Sequence, residues 1–304
     1  MVLFQVLMLD ICLKRRVRQK VGVLQVNTHH RQRPPFRLKF RHLVMFCSSW
    51  LIVLYSTFEF RDTAKPLSVS GLHSASGQKF VLSFSLYGSS ARYLEGALQN
   101  AELHKWIFPS WTLRIYHDDT VPEAILASLR GKAELVNMRS SRINPMKWRF
   151  LAASDDEVDA FCSRDIDARL SIREFSAVSE WLASEYKVHL IRDHPGHNFF
   201  PIMGGLWCAK RGAIPDLRSL INSYPRVKHY DADQEFLQEV VWPLVNHSAM
   251  QHVNFGCEHW VESRPIPVPR VGDEHVGAVY IDGMLRKEDT STLRQAIAAG
   301  LECQ

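Results

Sequence analysis

The stretch "VDAFCSRDIDARL", residues 158–170, decides the fold. An apolar run through Ala160, Phe161 and Cys162 ends in two aspartates one residue apart, Asp165 and Asp167. Positions i and i+2 of a strand face the same side. A strand ending here would therefore present two carboxylates to one point. Without a counter-charge such a pair repels itself. Hard oxygen donors at that spacing suit Mg²⁺ or Mn²⁺, ions that also take phosphate oxygens. Arg164 stands beside the pair, either to neutralise Asp165 or to grip phosphate with its guanidinium fork.

Working outward, strand and helix patterns alternate. "KFVLSFSLYG" (79–88) reads as a buried strand, and 90–107 has helical spacing through Tyr93, Leu94, Ala97, Leu98 and Ala101. "WTLRIYHDD" (111–119) is a strand, "PEAILASLRG" (122–131) a helix, "AELVNM" (133–138) a strand and "KWRFLAAS" (147–154) a helix. This order predicts an α/β domain with a mostly parallel sheet, whose ligands bind outside the carboxyl ends of the strands. Gly88, Asp118, Asp119, Asp165 and Asp167 would all lie at that edge.

Several classes are excluded. The chain has no G-x-G-x-x-G, no P-loop, no G-x-S-x-G elbow and no C-x-x-C. The net charge of +5 is misleading, because residues 1–42 carry ten Lys/Arg and one acid, leaving 27 Lys/Arg against 31 Asp/Glu in the rest. A mildly acidic body does not argue for nucleic acid. Cysteines 12, 47, 162, 208, 257 and 303 are widely spaced and read as unpaired core thiols, although their even number permits disulfides.

The N-terminal part divides into a basic arm (1–42), an apolar segment (43–60) and a Ser/Gly/Pro-bearing stem (61–78). Residues 43–58 hold no charge, close to the length a membrane span needs. With basic residues crowded before it, the segment reads as a single-pass type II signal anchor with the body translocated (Golgi or ER in a eukaryote). The other reading is a buried N-terminal helix of a cytoplasmic protein. Residues 79–290 form the expected catalytic domain and 291–304 a tail.

Four segments in order carry a family resemblance: "WRFLAASDDEVDAFCSRDID", "FFPIMGGLWCAKRG" (199–212), "YDADQEFL" (230–237) and "MQHVNF" (250–255). Across roughly residues 79–260 the chain resembles the GT-A glycosyltransferases, nucleotide-sugar-dependent enzymes with a Rossmann-like fold and a D-x-D motif, and most nearly the family 8 type. The resemblance implies that Asp165, Asp167 and His252 hold Mn²⁺ or Mg²⁺, and that Arg149 contacts the donor nucleotide or sugar. It implies that Gly204 and Gly205 let the backbone approach the sugar, and that Asp233 and Gln234 line the reacting face. Ser83 and Ser85, with Phe84 and Leu86, would flank the nucleotide base.

The partners implied are a nucleoside diphosphate sugar and a glycan, protein or lipid hydroxyl, with Asp193 or Asp233 as a base in an inverting enzyme. "RDHPGH" (192–197) offers Asp193 for sugar hydroxyls and His194 and His197 for a zinc ion. Arg264 and Arg270 would close over a diphosphate or lie in a solvated loop. Trp207, Trp242 and Trp260 are either core or sugar-stacking residues. Two other functions compete: a non-catalytic binding or scaffold protein of the same fold, and a metal-dependent nucleotidyl- or phosphotransferase.

Overall fold

The computed structural model describes residues 77–225, 229–260 and 262–303. The basic arm, the anchor segment and nearly all of the stem lie outside the described residues. Among the described residues, no helix is long and apolar enough to cross a membrane.

"FVLSFSL" forms strand β1 (Phe80–Leu86), which pairs in parallel with β2 (Trp111–His117) on one side and β4 (Ala160–Arg164) on the other. Strand β3 (Glu134–Asn137) extends the sheet beyond β2. On the β4 side follow β6 (Leu206–Lys210), β5 (Val188–Arg192) and β7 (Ala249–Val253), giving the order β3-β2-β1-β4-β6-β5-β7. Only β6 runs antiparallel to its neighbours. Residues 193–205 return from β5 with no more regular structure than a 3₁₀ turn (Pro195–Asn198), and a connection without a crossover helix reverses the chain. The reversal brings Gly204 and Gly205, which precede β6, to the edge where the parallel strands end.

Strand order reverses between β1 and β4, so the crevice outside their carboxyl ends is the topological switch point. Alternation along the strands fills both faces. Leu82, Phe84, Leu86 and Cys162 face one core with Ala97 and Ala101 of α1 (Ala91–Ile107) and Ala177, Val178 and Trp181 of α3 (Ile172–Leu182). Val81, Phe161 and Trp207 face the other core, with Trp148 and Phe150 of a 3₁₀ helix over Pro145–Ser154 and Phe236 of α5 (Ala232–Phe236). The helices α2 (Glu123–Leu129) and α4 (Leu217–Ser223) complete the two layers, and a short α6 (Trp242–Val245) follows α5. The helix expected over 147–154 is thus 3₁₀. Asn144 opens it, its side chain accepting the Met146 N–H at 2.9 Å, with Pro145 in the first turn.

Two corrections concern the ends of the domain and its thiols. The helix α7 (Lys287–Ala298) runs across residue 291, and its Leu293 and Ala296 pack with Phe255. All four cysteines of the described residues are paired, Cys162 with Cys208 and Cys257 with Cys303. The first pair joins opposed residues of β4 and β6, an adjacency made by sheet pairing and invisible in the spacing. Trp207 is fully buried and is core, with Phe150 and Phe161 edge-on to it.

Candidate active site

Asp165 follows directly on β4, and its loop is clamped from the α1 side. Asn100 donates to the carbonyls of Ile166 (3.2 Å) and Ala168 (2.9 Å) and accepts the Leu170 N–H at 3.1 Å. Gly96 makes this contact possible: a Cβ there would lie 2.0 Å from the Ile166 carbonyl oxygen. Bound at three backbone groups, the D-x-D loop is a rigid platform rather than a mobile turn.

Each aspartate has its own arginine, and neither is the one sequence adjacency suggests. Arg149 donates from Nη1 to Asp165 and from Nη2 to Asp233 at 2.8 Å. Arg92, in the first turn of α1, pairs with Asp167. Burial opposes the charge of Arg149, but the two carboxylates raise its pKa and keep it a cation. Ser83 and Ser85 do not reach outward toward a base. The Ser83 hydroxyl donates to the Arg149 carbonyl at 2.6 Å, and the Ser85 hydroxyl accepts the Arg149 N–H at 3.1 Å. They fix Arg149 from beneath, since odd-numbered β1 residues face the 3₁₀ layer.

The glycine pair supplies space. A Cβ on Gly204 would lie 2.7 Å from each of Arg149 Nη2, Asp233 Oδ2 and Gln234 Nε2; on Gly205 it would lie 2.1 Å from Asp165 Oδ2. Gly204 donates its N–H to Gln234 Oε1 at 3.1 Å and accepts the Ser163 hydroxyl at 2.6 Å. Arg149, Asp165, Gly204, Gly205, Asp233 and Gln234 therefore meet in one constellation, although Arg149 and Asp233 are 84 residues apart.

The carboxylates differ in exposure. The Asp165 side chain is 44% exposed, whereas those of Asp167 and Asp233 are 7% and 1%. Burial raises the Asp167 pKa and the negative charge of Asp165 adds to it, against Arg92. Burial likewise raises Asp233, with Arg149 opposing and Asp165 reinforcing. Three carboxylates near two arginines leave a local excess of negative charge, which a divalent cation would relieve. Asp165 and Asp167 offer the hard oxygens that a divalent cation takes. Among the described residues, no third His, Cys, Asp or Glu gathers with them into a ligand group.

His252 and Asp193 are placed elsewhere. Strand β7 lies three strands from β4, about 14 Å at the usual inter-strand spacing. His252 is fully buried there, its Nδ1 2.7 Å from His189 Nε2 and its Nε2 3.2 Å from Glu180. Asp193 is also fully buried, bound by Arg173 (2.7 and 2.8 Å), Arg270 (2.9 Å) and the Val276 N–H (2.9 Å). With its oxygens committed, it ties α3 to the 268–276 loop and does not meet a hydroxyl. Arg270 is part of this hub and Arg264 pairs with Glu180.

Arg164 corrects both readings of it. As an even-numbered β4 residue it faces α3, where Nε donates to Glu174 and Nη1 to the carbonyls of Ser163 (2.7 Å) and Trp207 (3.1 Å). At 3% exposure it neither touches Asp165 nor reaches a ligand.

His194 and His197 do gather with His275, one ring nitrogen of each lying within 4.8 Å of the others. Yet His194 Nδ1 accepts from Gly196, its Nε2 lies 3.0 Å from the Asp289 carbonyl, and His197 Nδ1 accepts from Asp193. Those bonds place protons on the Nε2 atoms of both rings and leave neither a free lone pair. The cluster is a packed imidazole stack that joins the β5 loop to α7.

Sequence reasoning missed Arg92, Tyr87 and Tyr230. Tyr87 caps β1, its hydroxyl pKa raised by burial, with the charges of Arg149, Asp233 and Asp165 all acting on it. Tyr230 is exposed as a whole, but partial burial of its hydroxyl end and the charges of Asp165 and Asp167 raise its pKa. Both tyrosines line a cavity of about 410 Å³ with Asn144, Lys147 and Tyr224. The signal for Arg92 was available: α1 starts at the carboxyl edge of β1, so its first turn faces the crevice.

No family model matches the chain, and no curated protein matches it. Solved structures similar to it include a glycosyltransferase involved in glycosylation of the major capsid of PBCV-1 (TM-score 0.39, 11% identity, 58% of this chain and 81% of that one). Another is glucosyl-3-phosphoglycerate synthase from Mycobacterium tuberculosis with Mn²⁺, UDP-glucose and glycerol 3-phosphate (0.39, 15%, 58% and 69%). A third is residues 1–349 of S. aureus TarS (0.39, 14%, 52% and 54%). Superpositions this loose do not establish a shared function.

Proposed function

We propose that the chain is a GT-A glycosyltransferase that moves a hexose from a nucleoside diphosphate sugar to a hydroxyl acceptor with the help of Mn²⁺ or Mg²⁺. The observation that carries this reading is the junction at the switch point. Arg149 bridges Asp165 and Asp233 over the Gly204–Gly205 backbone, with Asp167 and Arg92 alongside. A site of mixed carboxylates and guanidiniums suits a cation-bridged diphosphate better than it suits either ion alone. The Nε–H groups of Arg92 and Arg149 are buried without an acceptor, which fits a site built to meet anionic oxygens.

Asp165 and Asp167 would hold the cation, which when bound offsets charge on the departing diphosphate. Arg149 and Arg92 orient the phosphates, and the cavity behind Tyr87 and Tyr230 accommodates the rest of the donor or the acceptor. Transfer breaks the bond between the anomeric carbon and the phosphate oxygen and forms one to the acceptor oxygen. The acceptor proton goes to the leaving phosphate, since Asp233 is buried with Oδ1 accepting the Gln234 N–H and Oδ2 accepting from Arg149, and serves to position that arginine.

One observation favours a second reading. Each aspartate already has an arginine, so the ligand-free site has part of its counter-charge built in, as a non-catalytic nucleotide-sugar binder would. The deciding experiment is a panel of UDP- and GDP-sugars with Mn²⁺, read by release of nucleoside diphosphate and by thermal shift. Turnover that disappears in Asp165→Ala/Asp167→Ala supports the transferase. Turnover that survives that double substitution sinks the metal mechanism, binding without turnover favours the binder, and release of sugar 1-phosphate in place of nucleoside diphosphate means nucleotidyl transfer.

A further inference from the structure

We infer that the folded body matures in an oxidising, glycosylating compartment, and that Asn246 is an N-glycosylation site. Two independent features carry this. The first is the cysteines: those of the described residues form two pairs, one inside the sheet and one tying the C-terminal end to the loop after β7. Neither is a C-x-x-C of the kind that cycles catalytically. Fixed structural pairs of this type persist where the surroundings are oxidising, and thiol-reducing cytosol removes them. Each forms by exchange with a disulfide of the compartment, which takes up two electrons while the two thiols release two protons.

The second feature is "NHS" at 246–248, the sole N-x-S/T triplet in 304 residues. Its asparagine is exposed, on a 3₁₀ turn (Asn246–Ser248) between the helix Trp242–Val245 and β7. Because β7 is parallel to β5, this turn lies at the amino edge of the sheet, opposite the carboxyl edge that holds Asp165 and Asp233. A glycan there leaves the candidate site open. The Asn246 side-chain nitrogen would bond to the anomeric carbon of an oligosaccharide carried on a polyprenyl diphosphate. The carbon–oxygen bond to that carrier breaks, the diphosphate departs and the amide loses one proton. The charge pattern of the sequence agrees: ten Lys/Arg precede an uncharged stretch at 43–58, the order that retains an N-terminus in the cytoplasm and sends the body across.

The test expresses the full chain in a cell with a secretory pathway and alkylates free thiols with a mass-tagged maleimide during lysis, before and after reduction. The expected result is one mobility step removed by peptide-N-glycosidase, absent in both Asn246→Gln and Ser248→Ala. Cys162, Cys208, Cys257 and Cys303 take up the tag only after reduction. A glycosidase-insensitive wild-type chain, or a step that survives both substitutions, overturns the Asn246 assignment. Tagging of those four cysteines without reduction overturns the compartment.

Discussion

Gly205→Ala is the sharpest probe of the junction. A Cβ at residue 205 would lie 2.1 Å from Asp165 Oδ2 and 2.5 Å from its Cγ, where ordinary contact begins at 3.4 Å. The shortfall at Oδ2 is 1.3 Å, and the carboxylate cannot rotate away cheaply because Arg149 holds it and is itself held by Asp233, Ser83 and Ser85. Misplacing a reacting constellation by about 1 Å costs on the order of 100-fold in rate. Sugar transfer by Gly205→Ala should therefore fall about 100-fold or more, equivalent to about 2.7 kcal/mol of transition-state stabilisation. Overpacking should also lower stability by about 1–3 kcal/mol. Denaturant unfolding of wild type, Gly205→Ala, Asp165→Ala and the double variant closes a cycle that needs no substrate. With Asp165 truncated, the two closest contacts vanish and the Asp165 backbone nitrogen at 3.0 Å remains. The alanine should then cost at least about 1 kcal/mol less than it does in wild type. An equal cost in both backgrounds would refute the packing of Gly205 on Asp165, whatever the chain catalyses.

Two further outcomes follow from buried charges. Burial lowers the His275 pKa to about 4, aided by His194 and Arg270 and opposed by Asp193 and Asp289. Its folded value is below the unfolded value of about 6.5. Its neutral form therefore contributes fully above pH ~6.5, and that contribution is lost as pH falls toward 4. Relative to His275→Phe, wild type should lose about 3 kcal/mol across that window; parallel stability-versus-pH curves would contradict the buried imidazole stack. Arg164→Met leaves Glu174, with its side chain 2% exposed, without its cation and should cost about 3–5 kcal/mol. Arg164→Met/Glu174→Leu should recover most of that and keep the wild-type rate per folded molecule, whereas a phosphate role for Arg164 predicts a slow enzyme.

The amino-acid sequence by itself determined the alternation of strands and helices and the carboxyl edge on which Asp165 and Asp167 lie, because both are read from local periodicity and from where apolar runs stop. The grouping of Arg149, the glycine pair, Asp233 and Gln234 came from the resemblance to the GT-A transferases and not from periodicity. Tertiary structure alone decided who meets whom. Arg164 and Asp165 are neighbours in the chain, but strand alternation sends Arg164 to Glu174 and leaves Asp165 to Arg149, sixteen residues upstream. His252 and Asp193 carry the right chemistry, yet strand order places one three strands away and neighbouring arginines saturate the other. Ser83 and Ser85 became supports for Arg149 because a 3₁₀ helix covers their face of β1. Cys162 found Cys208 because β6 returns antiparallel beside β4. Residue type and spacing report what a side chain is able to do; its partner is set by sheet order, register and face, which are properties of the whole chain.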